Sequence, residues 1–73
     1  MKTLETNKDY WNEMIRRYQI GKRLRLYMGK HGFTYLDMQK IMGFKRQYIY
    51  GVEQIEIKPN ENFITKLEEL ENA

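Results

Sequence analysis

An all-α fold of four or five short helices is predicted by three features of this 73-residue sequence. Its apolar residues recur at intervals of three and four, the period of a helix face. Glycines and capping residues punctuate those runs at Gly32, Thr34 and Gly43. No stretch makes a persuasive strand: Ile55–Lys58 reads as a loop or short extended piece ending at Pro59.

Met1–Asn7 is polar and predicted to fray. From Asp9 to Tyr18, residues Tyr10, Trp11, Met14, Ile15 and Tyr18 share a helical spacing, with Asn7 a candidate cap. Ile20 to Lys30 carries Ile20, Leu24, Tyr27 and Met28 on one side. Gly21 weakens this run and is a candidate break from the preceding helix, although one helix from about Asn7 to Lys30 is equally compatible. Gly32 reads as a left-handed C-cap. Thr34 caps the next helix, with Asp37 three residues on in capping-box position. That helix carries Leu36, Met38, Ile41 and Met42 and ends at Gly43. Phe44 is expected to fill the angle before a helix over Arg46–Gln54 with Ile49 and Val52 inward. Gly51 within it costs about 1 kcal/mol relative to alanine at an exposed site, or serves a close approach. A short connection ends at Pro59, and Asn60 begins a last helix with Phe63, Ile64, Leu67 and Leu70 inward. Residues 1–73 are thus read as one domain, with 1–19 a helical extension and 20–70 the main unit.

Charge is distributed unevenly. Ile15–Tyr50 holds nine basic residues against the single acid Asp37, whereas Gly51–Ala73 holds six glutamates against Lys58 and Lys66. One side of the molecule is therefore expected to present a positive field suited to an oriented contact with a polyanion.

The chain has no cysteine, so neither a disulfide nor a cysteine-based metal site can form. His31 is its one histidine and reads as a surface or C-terminal capping residue. No metal site, cofactor or catalytic group is expected: there is no phosphate-binding glycine loop and no nucleophile with a credible base. An enzyme is not expected. No apolar run has the length of a signal peptide core or a membrane span, so a cytoplasmic protein with no membrane partner is expected.

The segment Gly32–Pro59 reads as helix, tight turn and helix, the usual device by which a small basic protein reads the DNA major groove. The run Ile20-Gly21-Lys22-Arg23-Leu24-Arg25, then Gly32-Phe33-Thr34, Met42-Gly43-Phe44, Ile49, Val52-Glu53 and Lys58-Pro59 resembles the lambda-repressor-like helix-turn-helix family of Cro, CI and Xre-type regulators. The resemblance implies a compact helical bundle whose helix over Arg46–Gln54 enters the major groove, and a homodimer on a palindromic site. It also implies a structural salt bridge between Arg23 and Glu53. Four positions depart from the family pattern. Tyr35 stands where glutamine is usual, Gln39 where a small residue is usual, Lys45 where serine or threonine caps the recognition helix, and Ile55 where glycine follows it.

The residues expected to touch bases are Arg46, Gln47 and Tyr50. Guanidinium pairs with guanine, a carboxamide with adenine, and an aromatic ring meets a thymine methyl. Candidate phosphate contacts are Tyr35, Lys40, Lys45, Lys58, Arg16, Arg17 and Arg25. Trp11, Tyr18, Phe63 and Leu67 are candidates for a protein interface, because aromatic and large apolar residues concentrate at interface centres.

The leading functional expectation is sequence-specific binding of double-stranded DNA by a transcriptional regulator, a Cro-like repressor or accessory regulator of a phage or mobile element. Two alternatives stand beside it. One is a protein-interaction module, an antirepressor or inhibitor that binds a phage or host regulatory protein through the same fold. The other is an excisionase-like factor that bends DNA.

Overall fold

The computed structural model describes residues 2–73, with side chains described from Lys8 onward. Four helices follow one another: α1 (Lys2–His31), α2 (Tyr35–Met42), α3 (Arg46–Glu53) and α4 (Glu61–Asn72). The all-α class predicted from the sequence is observed.

The two N-terminal segments are one continuous helix of 30 residues. Gly21 does not break it, and Asn7 lies inside it rather than capping it. The polar run expected to fray is helical from Lys2; Met1 lies outside the described residues. At 1.5 Å per residue this helix is about 45 Å long, which accounts for the 46 × 24 × 20 Å dimensions of the molecule. It ends in a Schellman motif. Gly32 is left-handed at φ 69°, and the Phe33 amide returns 2.9 Å to the Met28 carbonyl.

Gly21 has a different role from the one its helix propensity suggests. A Cβ there would lie 2.8 Å from the Val52 carbonyl oxygen, so the missing side chain lets α1 approach the end of α3. Gly51 works likewise: a Cβ would lie 2.6 Å from Ile57 Cγ1. Its close approach is to the turn that follows α3, not to a neighbouring helix.

The core gathers Ile20, Leu24 and Met28 from α1, Met38 and Met42 from α2, Ile49 and Val52 from α3, and Phe63, Ile64 and Leu67 from α4. Phe63 and Leu67 are fully buried there, so neither can belong to the protein interface expected of them. Their spacing of four marks the inward face of α4, and that face is consumed by the fold. Phe44 does fill the angle between α2 and α3. Its ring meets Phe63 edge-on at 5.2 Å and stacks on Tyr48 at 5.4 Å. The Tyr48 hydroxyl accepts a hydrogen bond from the Asn60 amide at 2.9 Å, tying α3 to the start of α4. Asn60 in turn caps α4 by accepting from the Phe63 amide at 2.8 Å.

Replacing Gly21 with alanine sets a helix-propensity gain of at most about 1 kcal/mol against a backbone clash at the α1–α3 contact. The expected net effect is destabilisation by about 1–3 kcal/mol, read as a lower urea midpoint. A variant as stable as the parent would show that α1 and α3 can separate freely.

Candidate nucleic-acid interface

The α2–turn–α3 unit is defined locally by its caps. Thr34 and Asp37 form a reciprocal capping box: the Asp37 amide donates to the Thr34 hydroxyl at 3.2 Å, and the Thr34 amide to the Asp37 carboxylate at 2.9 Å. The Thr34 backbone bond is the first cause holding the Asp37 carboxyl below its ordinary range. Gly43 ends α2 at φ 81°, its amide returning 2.9 Å to the Gln39 carbonyl. Three residues, Gly43, Phe44 and Lys45, make the turn.

Lys45 precedes α3 without any side-chain capping bond, as its chemistry dictates. Gln39 supplies the missing acceptor: its Oε1 accepts from the Arg46 amide at 3.2 Å. That bond satisfies one free amide in the first turn of α3, so Gln39 supplies from α2 part of what a side chain at the cap would supply.

Behind α3 lies the Glu53 carboxylate, 4 % exposed. It receives three donors: the Arg25 guanidinium from α1, the Tyr35 hydroxyl from α2 at 2.6 Å, and the Gln54 amide at 2.7 Å. Burial pushes its pKa up. The bonds from Tyr35, Arg25 and Gln54 and the Arg25 charge outweigh that, leaving it below its ordinary 4.5. The same bond, with burial, pushes the Tyr35 hydroxyl above its ordinary 10.0.

The expected Arg23–Glu53 bridge is not formed. Arg23 pairs with Glu71 of α4, and Arg25 holds Glu53. Two residues apart on a helix lie about 200° apart around its axis, so only one of these arginines can face α3. Arg25 follows Gly21 by four and shares its side of α1; Arg23 shares the α4 side. The packing glycine was the signal that distinguishes them. Gln54, the third donor, carried no such signal in the sequence.

The phosphate candidates separate into two groups. Tyr35 is removed because its hydroxyl donates to Glu53. Arg25 is engaged with Glu53, Arg16 with Glu61 at 3.2 Å, Arg17 with Glu13 at 3.3 Å, and Lys58 with Glu13 at 2.9 Å. Lys40 and Lys45 are exposed and carry no ion pair among the described residues. All three base-contact candidates are exposed on α3. At about 100° per residue, Arg46, Gln47 and Tyr50 fall within an arc of about 100°, turned away from buried Ile49 and Val52. The Tyr50 ring rests edge-on against Tyr35 at 5.3 Å, so the bond from Tyr35 to Glu53 also steadies Tyr50.

No group of three or more potential metal ligands occurs among the described residues, and no described helix is long and apolar enough to cross a membrane. No protein-family model matches the chain, and no curated protein or solved structure matches it.

Glu53 generates a pH prediction. Its folded pKa is depressed, so its contribution is fully present above the ordinary carboxylate value of 4.5 and is lost as pH falls through the lower folded value. Glu53→Gln is expected to cost about 2 kcal/mol near neutrality. In paired urea titrations the gap between parent and variant should hold above about pH 5 and close below 4.5. Taking the difference removes the parallel contributions of Asp37 and Glu13, whose carboxyls are also depressed. A gap that does not change with pH would rule out the charged hub.

Proposed function

We propose that this protein binds double-stranded DNA in a sequence-specific manner, as a small transcriptional regulator with α3 in the major groove. One observation carries the reading. The basic residues of α1 that approach the rest of the bundle are held by carboxylates, while Arg46, Lys45 and Lys40 carry no ion pair among the described residues. Ion pairs occupy four of the nine basic residues of Ile15–Tyr50; of the other five, Lys22 and Lys30 lie on α1, and Lys40, Lys45 and Arg46 lie together on the α2–turn–α3 unit.

That helix has the chemistry to read bases. Arg46 can pair bidentately with guanine O6 and N7, and Gln47 with adenine N6 and N7. Tyr50 offers an aromatic edge to a thymine methyl or a hydroxyl to a phosphate. Lys40 and Lys45 supply the phosphate contacts that set register. The resemblance to lambda-repressor-like regulators supports the same reading, with α2 and α3 as its helix-turn-helix. The biological role proposed with it is that of a phage or mobile-element repressor or accessory regulator.

Selection of duplex sites from a random pool is expected to yield a defined motif. On the selected site, Arg46→Ala and Gln47→Ala should each lose about 1–3 kcal/mol of binding. Lys45→Ala should weaken all duplexes alike and lower the salt slope by about one. The reading fails if the Arg46→Ala, Gln47→Ala double variant binds the selected site as tightly as the parent.

A further inference from the structure

Tyr50 stands at a boundary on α3. Arg46 lies four residues before it and Glu53 three after, so the three share one side of the helix about a turn apart. At Arg46 that side is open to solvent, and at Glu53 it is closed over by Arg25 of α1 and Tyr35 of α2. Tyr50 lies between, 47 % exposed.

Tyr35 spans the same boundary. It is the first residue of α2, directly after the cap, so the Thr34–Asp37 box fixes its backbone. Its hydroxyl is fixed at the other end, donating to Glu53 Oε1 at 2.6 Å. A tyrosine side chain has only two dihedral angles, and with both ends held the ring has no second well to occupy without breaking that bond. This immobile ring meets Tyr50 edge-on, at 5.3 Å and 78°, an arrangement aromatic pairs favour.

We propose that Tyr35 is a positioning residue that sets the base preference at one position of the DNA site, by holding the Tyr50 ring in a single rotamer on the outward face of α3. The inference rests on the DNA reading above and goes beyond it, since Tyr35 spends its hydroxyl on Glu53 and acts only through Tyr50. An aromatic side chain on an open helix face has two χ1 wells, near 180° and −60°, which send the ring to different sides. A ring free to swing aside tolerates any base pair. A fixed ring meets a thymine methyl or meets nothing, and that difference is discrimination. Ordering the ring before binding also spares its immobilisation on the DNA, about 2- to 10-fold in affinity. The effect is local. Gln47 lies about 60° further round the helix from Tyr50, and the Gln39 bond at the start of α3 goes to the Arg46 backbone.

Duplex-site selection with the full chain tests the proposal. Tyr35→Phe keeps the ring and loses the anchor. It is expected to retain the parent's preferences at the base pairs read by Arg46 and Gln47, with a preference about 3- to 10-fold weaker at one further base pair. Tyr50→Ala should lose the same preference, and adding Tyr35→Phe to it should change nothing more. Gln54→Met removes another bond to the same Glu53 oxygen but leaves the ring contact in place. It should keep the parent's preferences, which separates positioning from a general loosening around Glu53. In the free protein, the Tyr50 Hα–Hβ NMR couplings should report one rotamer in the parent and an average in Tyr35→Phe. Averaged couplings in the parent overturn the proposal without any variant. So do couplings unchanged by Tyr35→Phe, or loss of the same base preference in Gln54→Met. A parent motif that Tyr35→Phe leaves intact ends the positioning role alone. A parent that selects no motif ends the DNA reading and this role with it.

Discussion

The geometry of this protein is organised around one buried carboxylate. Glu53 lies at the end of α3, almost without solvent, and must be satisfied by the protein itself. Its donors come from α1, α2 and the residue beside it. Each fixes a different relation: Arg25 sets how α1 crosses behind α3, Tyr35 sets α2 against α3, and Gln54 holds the point at which α3 stops. Because the Arg25 guanidinium remains largely in solvent, the desolvation cost falls mainly on the carboxylate, which the three bonds offset. In a domain too small to bury a large apolar area, a polar clasp of this kind has unusual leverage over the orientation of α3.

The clasp imposes conditions on its surroundings. Arg25 reaches Glu53 only if α1 lies close to the α3 terminus, and that approach needs Gly21 under the Val52 carbonyl. The chain must then leave α3 at once. It does so through a Schellman turn, with the Glu56 amide returning 2.8 Å to Gly51 and the Ile55 amide 3.1 Å to Val52. Glycine would ordinarily stand at the left-handed position. Here Ile55 adopts φ 65°, a conformation that costs an L-residue about 1–2 kcal/mol. Its side chain is half-buried against Gly21, and Ile57 occupies the space left by Gly51. Two glycines thus receive two isoleucines, and the apolar contacts compensate for the backbone strain that a glycine at residue 55 would have avoided.

The features legible in the sequence are those determined within a few residues. The Thr34–Asp37 box, the left-handed Gly32 and Gly43, the Asn60 cap and the inward residues of each helix all follow from local chemistry and a period of 3.6. What was not legible depends on elements meeting across the fold. Gly21 looks like a helix breaker until the Val52 carbonyl is placed beside it. Arg23 and Arg25 are equivalent in composition and differ only in which neighbour each faces. Gln39 looks like an intruder at a packing position until the bare amide of Arg46 is brought to it. Phe63 and Leu67 read equally as a core face or an interface face; the choice belongs to the elements that close over α4, among them Phe44 of the turn and Tyr48 of α3, which pack on Phe63.

The two ends of α1 obey different physics. From Ile20 onward it is buried against α3 and α4, and its helicity follows from packing. None of the residues from Lys8 to Gln19 is fully buried, and their ties to the bundle include edge ion pairs from Glu13 to Lys58 and from Arg16 to Glu61. Such exposed pairs contribute at most about 1 kcal/mol each. An isolated helical segment of a dozen residues is marginal in water, and this one exposes tryptophan, tyrosine and isoleucine between its charged residues Lys8, Asp9, Glu13, Arg16 and Arg17. Continuity with the packed half propagates the helix outward without a new nucleation cost, which is how the segment persists as a rod. The same continuity gives its apolar stripe a fixed orientation relative to α3.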